Sequence, residues 1–124
     1  MTRIFTSFAI EDYLIKELFL GQAKHDKVPY EFTDMSVKQP WDTSWKTNCR
    51  VRIKSCKGLI VLISKNLRQA EGAIWEIQCA KDEGIPILGV YMSGCGIADT
   101  PDQLDGVRKV SWTWQNIASF VNNL

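Results

Sequence analysis

Apolar residues fall along this chain in two patterns: short unbroken or alternating runs, and longer stretches with helical spacing. Arg3–Thr6 reads as a short first strand. Glu11 and Asp12 follow it and suit the positive end of a helix. Leu14, Ile15, Leu18 and Phe19 then recur at helical spacing as far as Gly21, a fitting stop. Residues 21–27 are polar and read as a loop. Tyr30 and Phe32 alternate with Glu31 and Thr33, as in a strand with one less-buried face. Residues 34–44 form a loop that contains Pro40 and ends in the helix-starting cluster Asp42-Thr43-Ser44. Trp45, Cys49, Ile53 and Cys56 make the apolar stripe of the helix that follows. Leu59–Ile63 is apolar at every position, which fits a strand covered on both faces and hence a parallel sheet flanked by helices. Residues 72–83 read as a helix with Ile74, Ile77 and Ala80 facing inward, closed by Gly84. Pro86–Tyr91 is another buried strand, and residues 93–106 are a long loop with a helical turn near Pro101–Leu104. Val107–Trp112 is a weaker last strand, and Thr113 caps a final helix with the stripe Trp114, Ile117, Ala118 and Val121.

Strands alternating with helices predict an α/β fold, a flavodoxin-like three-layer sandwich around a five-stranded parallel sheet of order 2-1-3-4-5. The polar second strand belongs at an edge of that sheet, and the whole of residues 1–124 reads as a single domain. In such sheets the ligand crevice lies beyond the carboxyl ends of the strands, where the winding reverses. That points to Ser7 and Phe8 after the first strand and Ser64, Lys65 and Asn66 after the third, flanked by the loop after the second.

The composition narrows the function. An apolar share of 45% excludes disorder, and a net charge of +1 gives no reason to expect nucleic acid or an acidic membrane as partner. No secretory leader or membrane span is predicted, so a cytoplasmic location is expected. The four cysteines form no C-x-x-C pair and His25 is the single histidine, so no metal site is expected. Cys49 and Cys56, seven residues apart, fall on one predicted helical face and read as small buried hydrophobes. Dinucleotide and P-loop glycine motifs and a G-x-S-x-G elbow are missing. His25 has no nucleophile nearby in the chain. A receiver domain would want an acidic pair after the first strand and an aspartate after the third, where this chain has Ser7-Phe8 and Ser64-Lys65.

Glu76 is the first candidate for chemistry. It falls in the early turns of its helix, beside Trp75, where its side chain can reach the crevice and a carboxylate ionises easily. The alternative is a solvated helix glutamate, with Trp75 a packing aromatic. Asp34, at the end of the second strand, can bond a ribose or cap a turn. Ser7 can bond a ligand or satisfy the helix entrance, and Asp12 reads as a favourable charge in the first helical turn. Lys46, Arg50, Lys54 and Lys57 read as the wet face of their helix. Trp45 fits the core stripe, whereas Trp41, in a loop, is free to meet a partner.

These residues resemble a known family. "RIFTSFAIEDY" resembles the first box of TIR domains, an aromatic-rich strand followed by S-[YF]-x-x-x-D. "YEFTD" is similar to their second strand, "SWKTNCRVRIKSCKGLIVLIS" to their W-x-x-x-I-x-x-x-I-x-x-S-[RK]-x-x-I-V-[VL]-x-S segment, and "GAIWEIQCAKDEGIPILGV" to their glutamate-bearing helix and next strand. The ending "SWTWQNIASFV" resembles short bacterial TIR-like proteins, among them the TIR subunits of Thoeris antiphage defence. The resemblance implies cleavage of the nicotinamide–ribose bond of NAD, with release or cyclisation of ADP-ribose as an immune signal read by a downstream effector. It implies Glu76 as the catalytic residue and Ser7, Phe8, Asp34, Ser36, Trp45, Ser64 and Trp75 around the NAD. NAD is then substrate, with no further cofactor. It also implies self-association through TIR surfaces, with the 34–45 loop as gate or stacking surface and a neighbouring protomer able to complete the site. Many TIR enzymes carry a tryptophan four residues before the glutamate; here that position is Gly72, and Trp75 precedes Glu76 directly.

One carboxylate suffices for this chemistry. Nicotinamide leaves a cationic pyridinium as a neutral molecule, so no general acid is needed, and the oxocarbenium-like ribose is stabilised by a single negative charge. The alternative is a TIR module that works by binding other TIR surfaces without catalysis. A flavin or nucleotide binder on the same fold is a third reading.

Overall fold

The computed structural model describes residues 2–124. Strands β1 (Thr2–Ser7), β2 (Tyr30–Thr33), β3 (Gly58–Ile63), β4 (Ile87–Tyr91) and β5 (Arg108–Ser111) form one five-stranded sheet in the order β2-β1-β3-β4-β5. Every neighbouring pair is parallel. The four α-helices are α1 (Tyr13–His25), α2 (Thr43–Lys54), α3 (Glu71–Asp82) and α4 (Trp114–Asn122).

Alternation along the strands divides the core between two layers. Phe5, Leu59, Val61 and Ile63 pack against Trp45, Cys49 and Ile53 of α2 and Ile77 of α3. Ile4, Ile60, Leu62, Leu88 and Val90 pack against Phe19 of α1 and Ile117 and Val121 of α4. Every position of β3 is buried, as its unbroken apolar run predicts. Each fully buried side chain of this size contributes about 1.5–3 kcal/mol. Strand β2 lies at the edge and keeps its polar face. Asp42 accepts hydrogen bonds from the Ser44 and Trp45 amides and starts α2, Thr113 caps α4, and Gly84 ends α3 in the left-handed region at φ 69°. The long loop carries the expected turn at Asp102–Leu104, and a second at Ile97–Asp99.

Helix α1 departs from its expected stripe. Leu14 and Leu18 are 80% and 55% exposed, and the inward residues are Lys16, Phe19 and Ala23, in line with buried Asp12. At 100° per residue those four cluster on one side and the two leucines lie roughly opposite. The two charges on this side have partners inside: Asp12 accepts from Ser64 and Asn66, and Lys16 faces Asp34. The helix also runs through Gly21 to His25. The glycine there costs about 1 kcal/mol of helix propensity, against which stands the burial of Ala23 in the last turn. Helix α2 stops at Lys54, so Cys56 is buried just beyond the helix instead of on its stripe.

Candidate active site

Helix α3 turns Ala73, Glu76 and Ala80 toward the sheet. Two small residues flanking the glutamate leave a recess beside the end of β1, and the Glu76 side chain fills it with no solvent exposure. The solvated-glutamate alternative is thereby overturned. Ser7 Oγ donates to Glu76 Oε1 at 2.8 Å. The ammonium of Lys38, from the loop after β2, donates to Oε1 at 2.9 Å and Oε2 at 2.8 Å. The same Nζ stands 4.2 Å from the centroid of the buried Phe8 ring, a cation–π distance. Cys49 Sγ lies 3.8 Å from Oε2 on the remaining side.

Burial pushes the Glu76 carboxyl above the ordinary glutamate range, and the Lys38 charge, followed by the hydrogen bonds from Lys38 and Ser7, pulls against it. Easy ionisation at a helix start, the expectation from sequence, gives way to desolvation six residues into α3. Burial, with the neighbouring Glu76 next, also pushes the Cys49 thiol up, which keeps it protonated as a donor to the carboxylate.

The other expected site residues divide into groups. Ser7 and Phe8 meet Glu76 directly or through Lys38. Trp45 is buried and Trp75 half-buried; their rings pack at 5.3 Å with an interplanar angle of 62°, and the Arg50 guanidinium lies 5.4 Å from the Trp75 centroid. Trp45 also donates its indole N–H to the Val37 carbonyl at 2.7 Å, pinning the loop that carries Lys38. Asp34 accepts from Ser36 Oγ at 2.9 Å and faces Lys16 Nζ at 3.7 Å. Ser64 shares no hydrogen bond with Glu76; it donates to Asp12, which also accepts from Asn66 Nδ2 at 2.9 Å. Asp12 is therefore a buried tie between the start of α1 and the loop after β3, where a simple first-turn charge was expected. Of the basic residues on α2, Arg50 is partly buried and bridges to Glu83 at 2.6 Å.

Sequence reasoning missed Lys38 and Lys16, both with side chains only 4% exposed. A lone lysine in a polar loop carries no periodic signal. The nearest hint is Gly72: a Cβ built there stands 2.7 Å from Lys38 Cβ, so the glycine opens the space through which the lysine passes. Outside Lys38 lies a cavity of about 140 Å³ lined by Ile10, Pro40, Trp41 and Gly72 among others. Ligand sites for molecules of drug size run to about 300–1,000 Å³, so a dinucleotide does not fit this closed form. A larger hollow of about 390 Å³ lies between Leu20 and Phe32 at the β2 edge, away from the carboxylate. No helix among the described residues is long and apolar enough to cross a membrane.

Comparison with known proteins agrees with this architecture. Residues 5–95 match the family described as Thoeris protein ThsB, TIR-like domain. No curated protein sequence matches the chain. Among solved structures, a de novo designed Rossmann 2x3 fold protein is similar at TM-score 0.51 and 16% identity, over 90% of this chain and 78% of that one. The TIR domains of the activated Roq1 resistosome, recognising the pathogen effector XopQ, are similar at TM-score 0.48 and 17% identity, over 73% of this chain and 57% of theirs. A 3-dehydroquinate dehydratase-like protein from Bifidobacterium longum follows at TM-score 0.47 and 11% identity, over 99% of this chain and 97% of its own.

Proposed function

Because this chain belongs to the TIR-like domain family of the Thoeris protein ThsB, we propose that it cleaves the nicotinamide–ribose bond of NAD, with Glu76 as the catalytic carboxylate. The observation that carries this reading is a carboxylate wholly removed from water and already holding a cation. Bond cleavage needs the same complement: positive charge builds on the ribose as nicotinamide departs, and a desolvated anion stabilises it more strongly than a hydrated one. Ser7 orients the carboxylate by its bond to Oε1. Phe8 offers a π face to whatever cation stands over it. Asp34, Ser36, Trp45, Ser64 and Trp75 form the wider set for the ribose, diphosphate and adenine. Excluding water lets an internal hydroxyl or the adenine capture the ribosyl cation, giving a cyclic ADP-ribose in place of the linear product. NAD is substrate, no other cofactor is required, and the product is a signal for a downstream effector in antiphage defence. The reaction runs in the cytoplasm in this reading; the four cysteines are unbridged, which suits a reducing compartment.

A second reading, a non-catalytic module acting through TIR–TIR contacts, draws on the closed state of the pocket and on the exposed apolar side chains Ile10, Leu14, Leu18 and Trp41. Incubation with NAD and chromatography of released nicotinamide separates the two. Release by the wild type and loss in Glu76→Gln is expected. Silence of the wild type at high concentration, in assemblies and in infected-cell lysate would overturn the enzymatic reading and leave the module.

A further inference from the structure

Helices α1 and α3 end in the same turn with different residues. After α3, the Ile85 N–H bonds the Ala80 carbonyl and the Gly84 N–H the Lys81 carbonyl, with Gly84 at φ 69°. After α1, the Val28 N–H bonds the Ala23 carbonyl and the Lys27 N–H the Lys24 carbonyl, both at 3.1 Å, with Lys27 at φ 53°. This pair of bonds sets one residue in the left-handed region, where glycine is the usual occupant. Lys27 is the only non-glycine residue at positive φ among the described residues, and an L side chain there strains the backbone. The strained residue carries its side chain to a hollow.

That hollow, of about 390 Å³, lies where the sheet ends at β2. Its size falls in the range of small-molecule sites, about 300–1,000 Å³. Leu20, Ala23 and Lys24 share one face of α1, with Lys27 in the turn that follows. Tyr30 and Phe32, two apart on β2, oppose them with their rings edge to face at 6.4 Å. Val28 completes the apolar walls, and Ala23 adds only a methyl, which leaves depth. The charges on the lining are the two ammonium groups of Lys24 and Lys27. No carboxylate lines the hollow, and neither lysine forms an ion pair among the described residues.

We propose that this hollow binds a small amphipathic carboxylate, with its apolar body between Leu20 and Phe32 and its anionic end on Lys24 and Lys27. The walls reward burial of a hydrocarbon or aromatic body. They would penalise a doubly charged phosphate, whose hydration they cannot replace. Two unpaired ammonium groups beside that apolar space match a single carboxylate, and a lysine kept at a glycine position gives the anion its second contact. The site is separate from Glu76, and its occupation does not depend on NAD cleavage.

Isothermal titration calorimetry of the full chain with decanoate, decanol and decyltrimethylammonium tests this. Decanoate is expected to bind one to one with a Kd of about 100 μM or tighter. Decanol and the ammonium ligand bind at least tenfold more weakly, and added salt weakens decanoate. Lys27→Gly removes the charge and eases the backbone, so its Tm equals or exceeds that of the wild type while its decanoate affinity falls about tenfold. Lys24→Met lowers decanoate affinity by a similar factor, and both variants leave decanol unchanged. Leu20→Trp fills the hollow and abolishes binding of decanoate and decanol. Equal affinity for all three ligands, or decanoate binding that survives Leu20→Trp, overturns the site. A lower Tm in Lys27→Gly makes the lysine a structural cap and overturns the argument from strain. A dimer of the free protein that Leu20→Trp disperses makes the hollow a protein interface. Binding to phosphatidylglycerol vesicles without binding of free decanoate makes it a membrane contact. Either result also overturns the proposal.

Discussion

Replacing Lys38 with methionine and, separately, Glu76 with glutamine breaks the same ion pair from its two ends, and the two losses are expected to differ. Removing one partner of a buried pair costs about 3–5 kcal/mol when the other charge stays buried. Glu76 cannot leave: it is fixed in the second turn of α3 with no solvent exposure. In Lys38→Met it keeps the Ser7 hydrogen bond and can take up a proton, which limits the loss to about 2–3 kcal/mol at pH 7. In Glu76→Gln the Lys38 ammonium can turn on its four-carbon stem into the adjoining cavity, so about 1 kcal/mol or less is lost. With an unfolding entropy of about 0.26 kcal/mol/K for 124 residues, Tm falls by about 8–12 °C in the first variant and by about 4 °C or less in the second.

The pH dependence carries a sign that identifies the cause. Burial holds the Glu76 carboxyl above its unfolded value, and Lys38 is the largest influence lowering it. A carboxyl raised on folding binds protons more tightly in the native state, so its contribution is present below the unfolded pKa and is lost as pH rises through the folded one. Deleting Lys38 lifts the folded value further. The stability deficit of Lys38→Met should therefore shrink on acidification from pH 8 toward pH 5, measured by urea unfolding across that range. Equal losses for the two variants, or a deficit that does not shrink in acid, would falsify the description of Glu76 as a trapped and desolvated carboxylate.

Asp12→Ala removes the acceptor for Ser64 and Asn66 and is expected to cost about 1–3 kcal/mol in urea unfolding; a loss under about 0.5 kcal/mol refutes the buried tie. Leu14→Glu and Leu18→Glu, on the exposed side of α1, should stay within about 0.5 kcal/mol of the wild type in the same assay, where core leucines would not. At pH 8 a disulfide reagent should modify Cys95 well before Cys49, Cys56 and Cys79, which are buried and whose thiols are pushed up chiefly by burial. Trp75→Ala loses the packing on Trp45 and Arg50 and should cost about 1–3 kcal/mol. If Trp75 also meets nicotinamide, inhibition by added nicotinamide weakens in this variant; if the ring only packs, inhibition is unchanged.

The fold was legible because burial on both faces writes itself into composition. The unbroken apolar run Leu59–Ile63 fits the covered strand it forms, and the polar alternation of Tyr30–Thr33 sent β2 to the edge where it lies. Helix α1 was misread because periodicity was counted over apolar residues alone. Its inner face is Lys16, Phe19 and Ala23, in line with Asp12 just before the helix, and the two charges are tolerated there by partners in the loops after β2 and β3 that are distant in sequence. The position of Glu76 at the sheet's carboxyl end followed from topology. Its ionic partner did not, since Lys38 is 38 residues away in a loop whose path no local pattern specifies.

Gly72 connects the sequence departure to the chemistry. The tryptophan that many TIR enzymes carry at this position would need the volume that the Lys38 stem fills. Aromatic ring and lysine are therefore alternatives for one space beside the carboxylate, and this chain has the lysine. A ring there would leave Glu76 a polarisable wall and an open face for a ligand. A lysine neutralises the same carboxylate and closes the recess. If Glu76 acts on NAD as proposed, affinity for the substrate depends less on the contacts it makes than on what it must displace, and the group to be displaced is tethered, hydrogen-bonded to both carboxylate oxygens and set over Phe8.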